Sequence, residues 1–194
     1  MIKTTAMILE ELKQYASPAS KLSRMVKKGE YIPIIKGLYE TDPSTPGYFL
    51  AGSIYGPSYL SFEFALAYYG LIPEAVYTFT SATYDKKKKK RFETPFGIFT
   101  YRDVPTEVYP LGVLIVREGD YAYHIASPEK ALCDMLYIKA PVANRPELRS
   151  LLFDDLRIDE NEFAKLNPEK IMLLAEKYHS TNIKKLSGFI RRIK

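Results

Sequence analysis

Three places in the chain pair a capping side chain with a following proline: Ser17-Pro18, Ser127-Pro128 and Asn167-Pro168. Proline at the first helical position loses no hydrogen bond, and the Ser or Asn oxygen accepts one from a free N–H of the first turn. We therefore expect helices to begin after residues 17, 127 and 167. Apolar periodicity predicts a further helix from Thr5 to Tyr15 and another from Ser61 to Gly70.

Runs of β-branched and aromatic residues lie between these helices. They predict strands at Tyr31–Ile35, Leu38–Thr41, Val76–Thr83, Phe96–Tyr101, Gly112–Arg117 and Tyr121–Ile125. The first two flank Lys36-Gly37, a two-residue turn in which glycine can adopt a positive φ. After about residue 145 the pattern is helical throughout.

These elements predict an α+β protein in two parts. A short N-terminal winged helix-turn-helix would occupy residues 1–45, and a mixed α/β domain with a helical C-terminus would occupy residues 46–194. The segment Asp42–Gly56 contains two prolines and two glycines before its final residue, and we interpret it as the linker.

Composition limits the class of protein. Of 194 residues, 46% are hydrophobic and 26% are charged, which is typical of a globular chain with a core and excludes disorder. The single cysteine, Cys133, cannot close an internal disulfide. The N-terminus carries acids where a signal peptide needs an apolar run, and no stretch reaches the ~20 apolar residues of a membrane helix. We expect a reduced, cytoplasmic protein with no membrane partner.

The second predicted helix has two different faces. Leu22, Met25 and Val26 share one side, whereas Ser20, Arg24 and Lys27 lie opposite them. An apolar back with a basic, hydroxyl-bearing front suits a helix that lies in a DNA groove. The hairpin that follows would then be a wing. The competing interpretation is an amphipathic surface helix with a solvated face.

One feature of this unit departs from a standard helix-turn-helix. Such motifs normally place a further helix between the first helix and the recognition helix, whereas here only Ala16 and Ser17 separate the two predicted helices. The unit is therefore either a shortened winged helix or not a DNA reader.

A second basic feature is the run Lys86–Lys90 followed by Arg91. Between two predicted strands it suggests a mobile hairpin loop that could clamp phosphates without reading sequence. A solvated loop or a charged strand edge explains it equally well. The full set of predicted DNA contacts is Ser20, Lys21, Arg24, Lys27, Lys28, Lys36, Lys86, Lys87, Lys88, Lys89, Lys90 and Arg91. The basic tail Lys184–Lys194 is a further candidate surface.

Catalytic patterns are scarce. His124 alternates with apolar residues and is predicted to be a satisfied structural histidine, and Cys133 is predicted to be a buried thiol. No Cys/His spacing suits zinc, and no phosphate-binding glycine loop is present. We therefore expect no catalytic residue, metal or cofactor. The acidic stretch from Asp154 to Glu162 fits helix ends and a loop better than a calcium loop.

Four ordered segments of the chain resemble one family. They are SKLSRMVKKGEYIPIIKGLYE, GPSYLSFEFALAYYGLIPEAVYTFTS, FETPFGIFTYRDVP and IASPEKALCDMLY. Together they cover residues 20–140 and resemble the AbiEi family, the antitoxins of type IV toxin–antitoxin systems, which are often described as transcriptional regulators. The likeness extends weakly over the helical tail.

The resemblance implies an N-terminal winged helix-turn-helix, a C-terminal antitoxin domain, and repression of the protein's own promoter through inverted repeats in double-stranded DNA. It also implies a neighbouring gene for a nucleotidyltransferase-like toxin, countered without a stable complex. It places the recognition helix at Ser20–Lys28, the wing at Tyr31–Glu40 and the SPEKAL segment at Ser127–Leu132. It assigns no catalytic residue.

Two other functions stay open on the sequence alone. The first is an enzyme that acts on nucleic acid or a nucleotide and modifies the toxin, for which Glu129-Lys130 is the one candidate pair. Their place at a helix start argues for capping instead. The second is a protein-interaction module whose short N-terminal unit does not bind DNA.

Overall fold

The N-terminal unit consists of two helices on a small sheet. The structure, a computed structural model, describes residues 1–190. Its first elements are β1 (Lys3–Thr4), α1 (Thr5–Glu11), α2 (Pro18–Lys27), β2 (Ile32–Ile35) and β3 (Leu38–Glu40). The three strands are antiparallel in the order β1-β3-β2.

The N-terminal unit has a small core of its own. Ile8, Leu12, Leu22 and Tyr31 are buried together, so the helices α1 and α2 close over the hairpin. The other side of the hairpin is buried in a second, larger core that includes Ile34 and Leu38. The hairpin therefore packs between α1 and α2 on one side and the rest of the chain on the other.

The larger part is built on a six-stranded mixed sheet. Its strands are β4 (Tyr59–Leu60), β5 (Thr78–Thr83), β6 (Lys90–Thr94), β7 (Gly97–Asp103), β8 (Val113–Glu118) and β9 (Tyr121–Ala126). They lie in the order β6-β7-β5-β4-β9-β8. The pairs β5–β7 and β4–β9 are parallel, and the other three pairs are antiparallel.

Short helices surround this sheet and form the C-terminal part. They are α3 (Ala51–Ile54), α4 (Phe62–Tyr68), α5 (Pro128–Ile138), α6 (Arg145–Ser150), α7 (Glu160–Lys165), α8 (Pro168–Lys177) and α9 (Thr181–Ile190). A 3-10 turn at Gly47–Phe49 and a π-helical turn at Leu151–Asp155 complete the set. The helix α5 contacts α4, α8 and α9, so it links the sheet to the C-terminal helices. The α+β class is confirmed.

The capping residues act as predicted at two of the three helix starts. The Ser127 hydroxyl accepts from the Lys130 N–H at 3.3 Å, and the Asn167 side chain accepts from the Glu169 N–H at 2.9 Å. The helix α2 does begin at Pro18, but the Ser17 hydroxyl donates to the Ser20 hydroxyl at 2.8 Å instead of capping the helix.

Three local predictions are wrong. The helix α1 ends at Glu11, so six residues, 12–17, and not two, separate it from α2. The segment Asp42–Gly56 is not an extended linker, because Leu50 and Ala51 are buried in the larger core. The segment Lys86–Arg91 does not join paired strands: β6 pairs with β7, which lies between β5 and β6.

Within residues 1–190, no helix is both long and apolar enough to cross a membrane.

Candidate nucleic-acid interface

The two faces of α2 lie as the sequence predicts, with the apolar face packed against the N-terminal core and the basic face exposed to solvent. Leu22 is buried, and Met25 and Val26 pack against the small N-terminal core. Arg24 and Lys27 on the opposite side are exposed. The amphipathic pattern works because residues three and four apart share a side of an α-helix.

The remaining predicted contacts of this unit lie around that exposed face. Ser20 is exposed in the first turn, and Lys28 follows the last turn and is also exposed. Lys21 is half-buried, and its ammonium lies 4.9 Å from the centre of the Tyr15 ring. The guanidinium Nε of Arg24 donates to the Ser20 carbonyl at 3.3 Å.

The cations of α2 lack acidic partners. In the described part of the chain, none of the side chains of Lys21, Arg24, Lys27 and Lys28 forms an ion pair. The neighbouring lysines differ, because Lys3 of β1 pairs with Glu11, and Lys13, which follows α1, pairs with Glu10. Uncompensated positive charge is therefore concentrated on α2, which is the charge pattern that attracts a polyanion.

The hairpin turn places Lys36 next to the start of α1. Gly37 has φ +86°, a conformation that residues with a side chain rarely adopt. Its carbonyl accepts from the Thr5 N–H at 3.0 Å, which fixes the turn to the first residue of α1. The side chain of Lys36 is exposed.

The run of lysines is divided between a loop and a strand. Lys87, Lys88 and Lys89 are exposed in the loop, whereas Lys90 and Arg91 begin β6, an edge strand. The strand β2 of the hairpin contacts β6. The hairpin that carries Lys36 and the strand that carries Lys90 and Arg91 are therefore neighbours in the fold.

The start of this loop is held by specific contacts. The Lys86 ammonium donates to the Gly56 carbonyl at 3.2 Å and lies 5.3 Å from the centre of the Tyr55 ring. The Lys87 N–H donates to Asp103 at 2.6 Å. Lys86 is thus half-buried and structural. Of the five lysines only Lys87–Lys89 are exposed in the loop, and the Lys87 ammonium lies 3.6 Å from the Asp85 carboxylate.

A buried polar cluster, the Asp134 cluster, is the main feature that sequence reasoning missed. The Asp134 carboxylate pairs with the Lys130 ammonium at 3.1 Å and accepts hydrogen bonds from Tyr59 at 3.0 Å, Ser61 at 2.7 Å and Tyr178. These five residues are almost fully buried. The i,i+4 spacing of Lys130 and Asp134 was the available signal, but apolar neighbours such as Cys133 gave no reason to expect a buried ion pair.

Burial also changes the protonation chemistry of the Asp134 cluster. It lowers the pKa of the Lys130 ammonium, an effect that the Asp134 charge opposes. Burial, reinforced by the same carboxylate, raises the pKa of the Tyr59 and Tyr178 phenols well above the usual value. Because the Lys130 side chain is fully buried, no substrate can reach its ammonium in this conformation.

Glu129 lies in the first turn of α5, but among the described residues no backbone N–H of that turn donates to its carboxylate. Its carboxylate accepts from the Ser127 hydroxyl at 2.9 Å and from the Asn167 N–H at 3.1 Å. It therefore joins the start of α5 to the start of α8.

The predictions for Cys133 and His124 have opposite outcomes. Cys133 is fully buried as predicted, and burial raises the pKa of its thiol. The prediction for His124 is wrong: its side chain is exposed on β9 and makes no hydrogen bond within the described residues. Alternation along β9 puts it on the open face of the strand, whereas the neighbouring Tyr123 and Ile125 are buried.

No group of acidic, histidine or cysteine side chains within residues 1–190 is arranged to hold a metal ion. The side chain of Asp159 in the acidic stretch caps α7 by accepting from the Asn161 N–H at 2.8 Å. The last four residues of the basic tail Lys184–Lys194 lie outside the described residues.

A scan against protein-family models found no match to this chain, and a search of curated proteins found no significant match.

Proposed function

We propose that this chain is a DNA-binding antitoxin of the AbiEi type, which represses its own promoter and counters a nucleotidyltransferase-like toxin. The proposal rests on the resemblance of residues 20–140 to that family. One observation carries the DNA-binding part: the exposed cations of α2 have no acidic partner in the described chain.

The arrangement of the N-terminal unit supports a shortened winged helix-turn-helix. A basic helix lies on a hairpin, and the turn of the hairpin presents Lys36. In winged-helix binding, the helix contacts base edges in the major groove and the wing contacts the adjacent backbone. Arg24 is the residue best suited to a base contact, because its planar guanidinium can bind guanine O6 and N7 together. The lysines would contact phosphates.

The antitoxin activity belongs in this proposal to residues 46–194. It involves no stable complex with the toxin and no cofactor. The buried Lys130 and Glu129 hold helices together, so the proposal gives them no catalytic role.

Binding to the upstream region of the protein's own gene tests this function. We expect a gel shift with the inverted repeat in that region at ~150 mM salt, where a scrambled probe of equal length binds weakly. About five phosphate contacts would give a plot of log K against log salt a slope near −4.5. Equal affinity for both probes would refute the repressor.

A further inference from the structure

The two edges of the six-stranded sheet differ in chemistry. The edge strand β6 begins with Lys90 and Arg91, and charged side chains discourage a second strand from pairing. The opposite edge strand, β8, is Val-Leu-Ile-Val-Arg-Glu, with Leu114 45% exposed and Ile115 66% exposed. An apolar edge without proline, lysine or a bulge is open to a further strand.

The register of β8 shows which backbone groups are free. The strand β8 pairs with β9 from Val113 opposite Ala126 to Glu118 opposite Tyr121, and the Ser127 N–H donates to the Gly112 carbonyl at 2.7 Å. Hydrogen-bonded and non-bonded positions alternate in an antiparallel pair. Even-numbered residues of β8 therefore bond to β9, and the odd-numbered residues direct their N–H and C=O groups outward.

We propose that β8 pairs antiparallel with β8 of a second copy of this chain, about a twofold axis at Ile115. In this register Ile115 lies opposite its symmetry mate, Val113 opposite Arg117, and Leu114 opposite Val116. Outward-directed residues meet outward-directed residues, so about six backbone hydrogen bonds form. The two six-stranded sheets then join through their β8 strands into one continuous sheet.

Charge favours a second copy at this edge. The chain carries a net charge of +5, so two copies repel each other wherever basic surfaces meet, as they would at β6 and the lysine loop. On the β8–β9 hairpin, Arg117 is balanced by Glu118 and Asp120. The proposed register places no like charges opposite each other, because the two copies of Arg117 lie ~13 Å apart along the strands.

A groove beside β8 adds apolar surface to this interface. It has a volume of about 600 Å³ and is lined by Val113 and Ile115 on the strand side and by Tyr59 and Tyr109 on the other. Directly opposed side chains lie on the same face of a sheet. The second copy's isoleucine therefore extends the apolar wall of this groove.

Disulfide trapping tests the pairing without DNA, so its result is independent of the proposed function. In a hydrogen-bonded antiparallel pair the two Cα atoms are about 5.5 Å apart, which suits a disulfide. The variant Ile115→Cys should therefore form a covalent dimer in oxidised glutathione, because the introduced thiols displace two glutathiones in turn. The native Cys133 is buried and should not react.

The matched control is Glu118→Cys, an exposed position on the same strand. Its symmetry mate lies ~20 Å away along the strands, so no disulfide should form. Equal dimer yields from Ile115→Cys and Glu118→Cys would indicate random collision and overturn the proposal, as would no dimer from either variant.

A second measurement uses the reversible dimer. Light scattering of the native chain should show the apparent mass rising from 22.2 kDa towards twice that value with concentration. The variant Ile115→Lys, which sets two ammonium groups opposite each other, should stay monomeric at the same concentrations. A native chain that stays monomeric throughout, or an Ile115→Lys variant that dimerises equally, would overturn the proposal. If the native chain stays monomeric, the partner for the β8 edge is a strand of a different protein.

Discussion

At the scale of single residues, Asp134 joins side chains from separate parts of the chain: Tyr59 from β4, Ser61 before α4, and Tyr178 after α8, besides Lys130 on its own helix. Replacing Asp134 with alanine leaves a buried ammonium and three hydroxyls without their shared acceptor. Breaking a buried ion pair in this way typically costs about 3–5 kcal/mol. We expect Asp134→Ala to lower the free energy of unfolding in urea by that amount.

The comparison variant Lys130→Met removes the ion pair, together with the hydrogen bond that the Lys130 ammonium donates to the Tyr178 hydroxyl. It removes the ammonium but leaves the carboxylate with its three hydroxyl donors, and the methionine fills similar space. We expect a smaller loss of stability than for Asp134→Ala in the same urea titration. An equal or larger loss would show that the ammonium, and not the set of hydroxyls, is the main partner of Asp134.

Glu40 gives a residue-scale prediction of pH dependence. Burial alone would raise the pKa of its carboxyl, but hydrogen bonds outweigh it, and the pKa is lowered from 4.5. The donors include the Met1 amine, the Thr41 N–H at 2.7 Å and the Tyr121 hydroxyl at 2.9 Å. A lowered folded-state pKa means that the stabilisation is present above pH 4.5 and is lost as the pH falls through the folded value.

The matched measurement uses Glu40→Gln. Its free energy of unfolding should be lower than that of the native chain at pH 7, and the difference should shrink as the pH falls below about 4.5. The exposed, paired Glu93 provides the control, because Glu93→Gln should alter stability little at any of these pH values. A difference for Glu40→Gln that is independent of pH would contradict the assignment.

At the scale of elements, the sequence predicts those features that depend on neighbouring residues. The helix starts at Pro18, Pro128 and Pro168 follow from local capping chemistry. The strand β6 was missed because its Lys-Arg-Phe-Glu-Thr sequence alternates without strong β propensity, and its partner β7 determines its conformation. The end of α1 at Glu11 is equally nonlocal, because Leu12 and Tyr31 pack together in the small core.

The lysine loop gives a prediction at this scale. Since Lys86 is held by Gly56 and Tyr55, and the Lys87 ammonium lies 3.6 Å from the Asp85 carboxylate, the unpaired charge of this loop lies on Lys88 and Lys89. The variant Lys88→Ser, Lys89→Ser should weaken binding to the upstream region and to random DNA by similar factors, because lysine contacts phosphates without reading bases. Gel shifts over a range of salt concentrations should also show a flatter slope.

The matched control for the loop removes two lysines elsewhere. Lys165 and Lys170 are exposed on the C-terminal helices, so Lys165→Ser, Lys170→Ser changes the net charge equally. If both double variants bind DNA alike, the effect comes from net charge, and the loop makes no direct contact with DNA. A loop variant that loses specific binding alone would show that these lysines take part in sequence recognition.

At the scale of the whole molecule, the sequence predicts the α+β class and the amphipathic orientation of α2, because both depend on periodicity. It could not predict the Asp134 cluster, whose members come from residues 59 to 178 and meet only after folding. The exposure of His124 was missed because strand alternation does not indicate which face a neighbouring element covers. The β2–β3 hairpin and β6 are likewise distant in sequence and become neighbours only after folding, through the contact of β2 with β6.

The division of labour in the proposed antitoxin gives a whole-molecule prediction. Arg24 and Lys27 are exposed and lack acidic partners, so replacing both with alanine should change stability by less than ~0.5 kcal/mol. Removing a bidentate base contact costs about 1–3 kcal/mol of discrimination. The variant Arg24→Ala, Lys27→Ala should therefore lose promoter recognition while keeping its melting temperature.

The same variant should still rescue cells from the toxin when it is expressed from a foreign promoter, because residues 46–194 are unchanged. The control Arg149→Ala, Lys165→Ala removes one arginine and one lysine that are exposed and paired with carboxylates, and it should retain both activities. Gel shift and growth rescue are measured with each variant after its folding is checked. A folded Arg24→Ala, Lys27→Ala variant that loses both activities would show that the N-terminal unit also takes part in neutralising the toxin. If the variant retains both activities, DNA recognition lies in the lysine loop or the basic tail and not in α2.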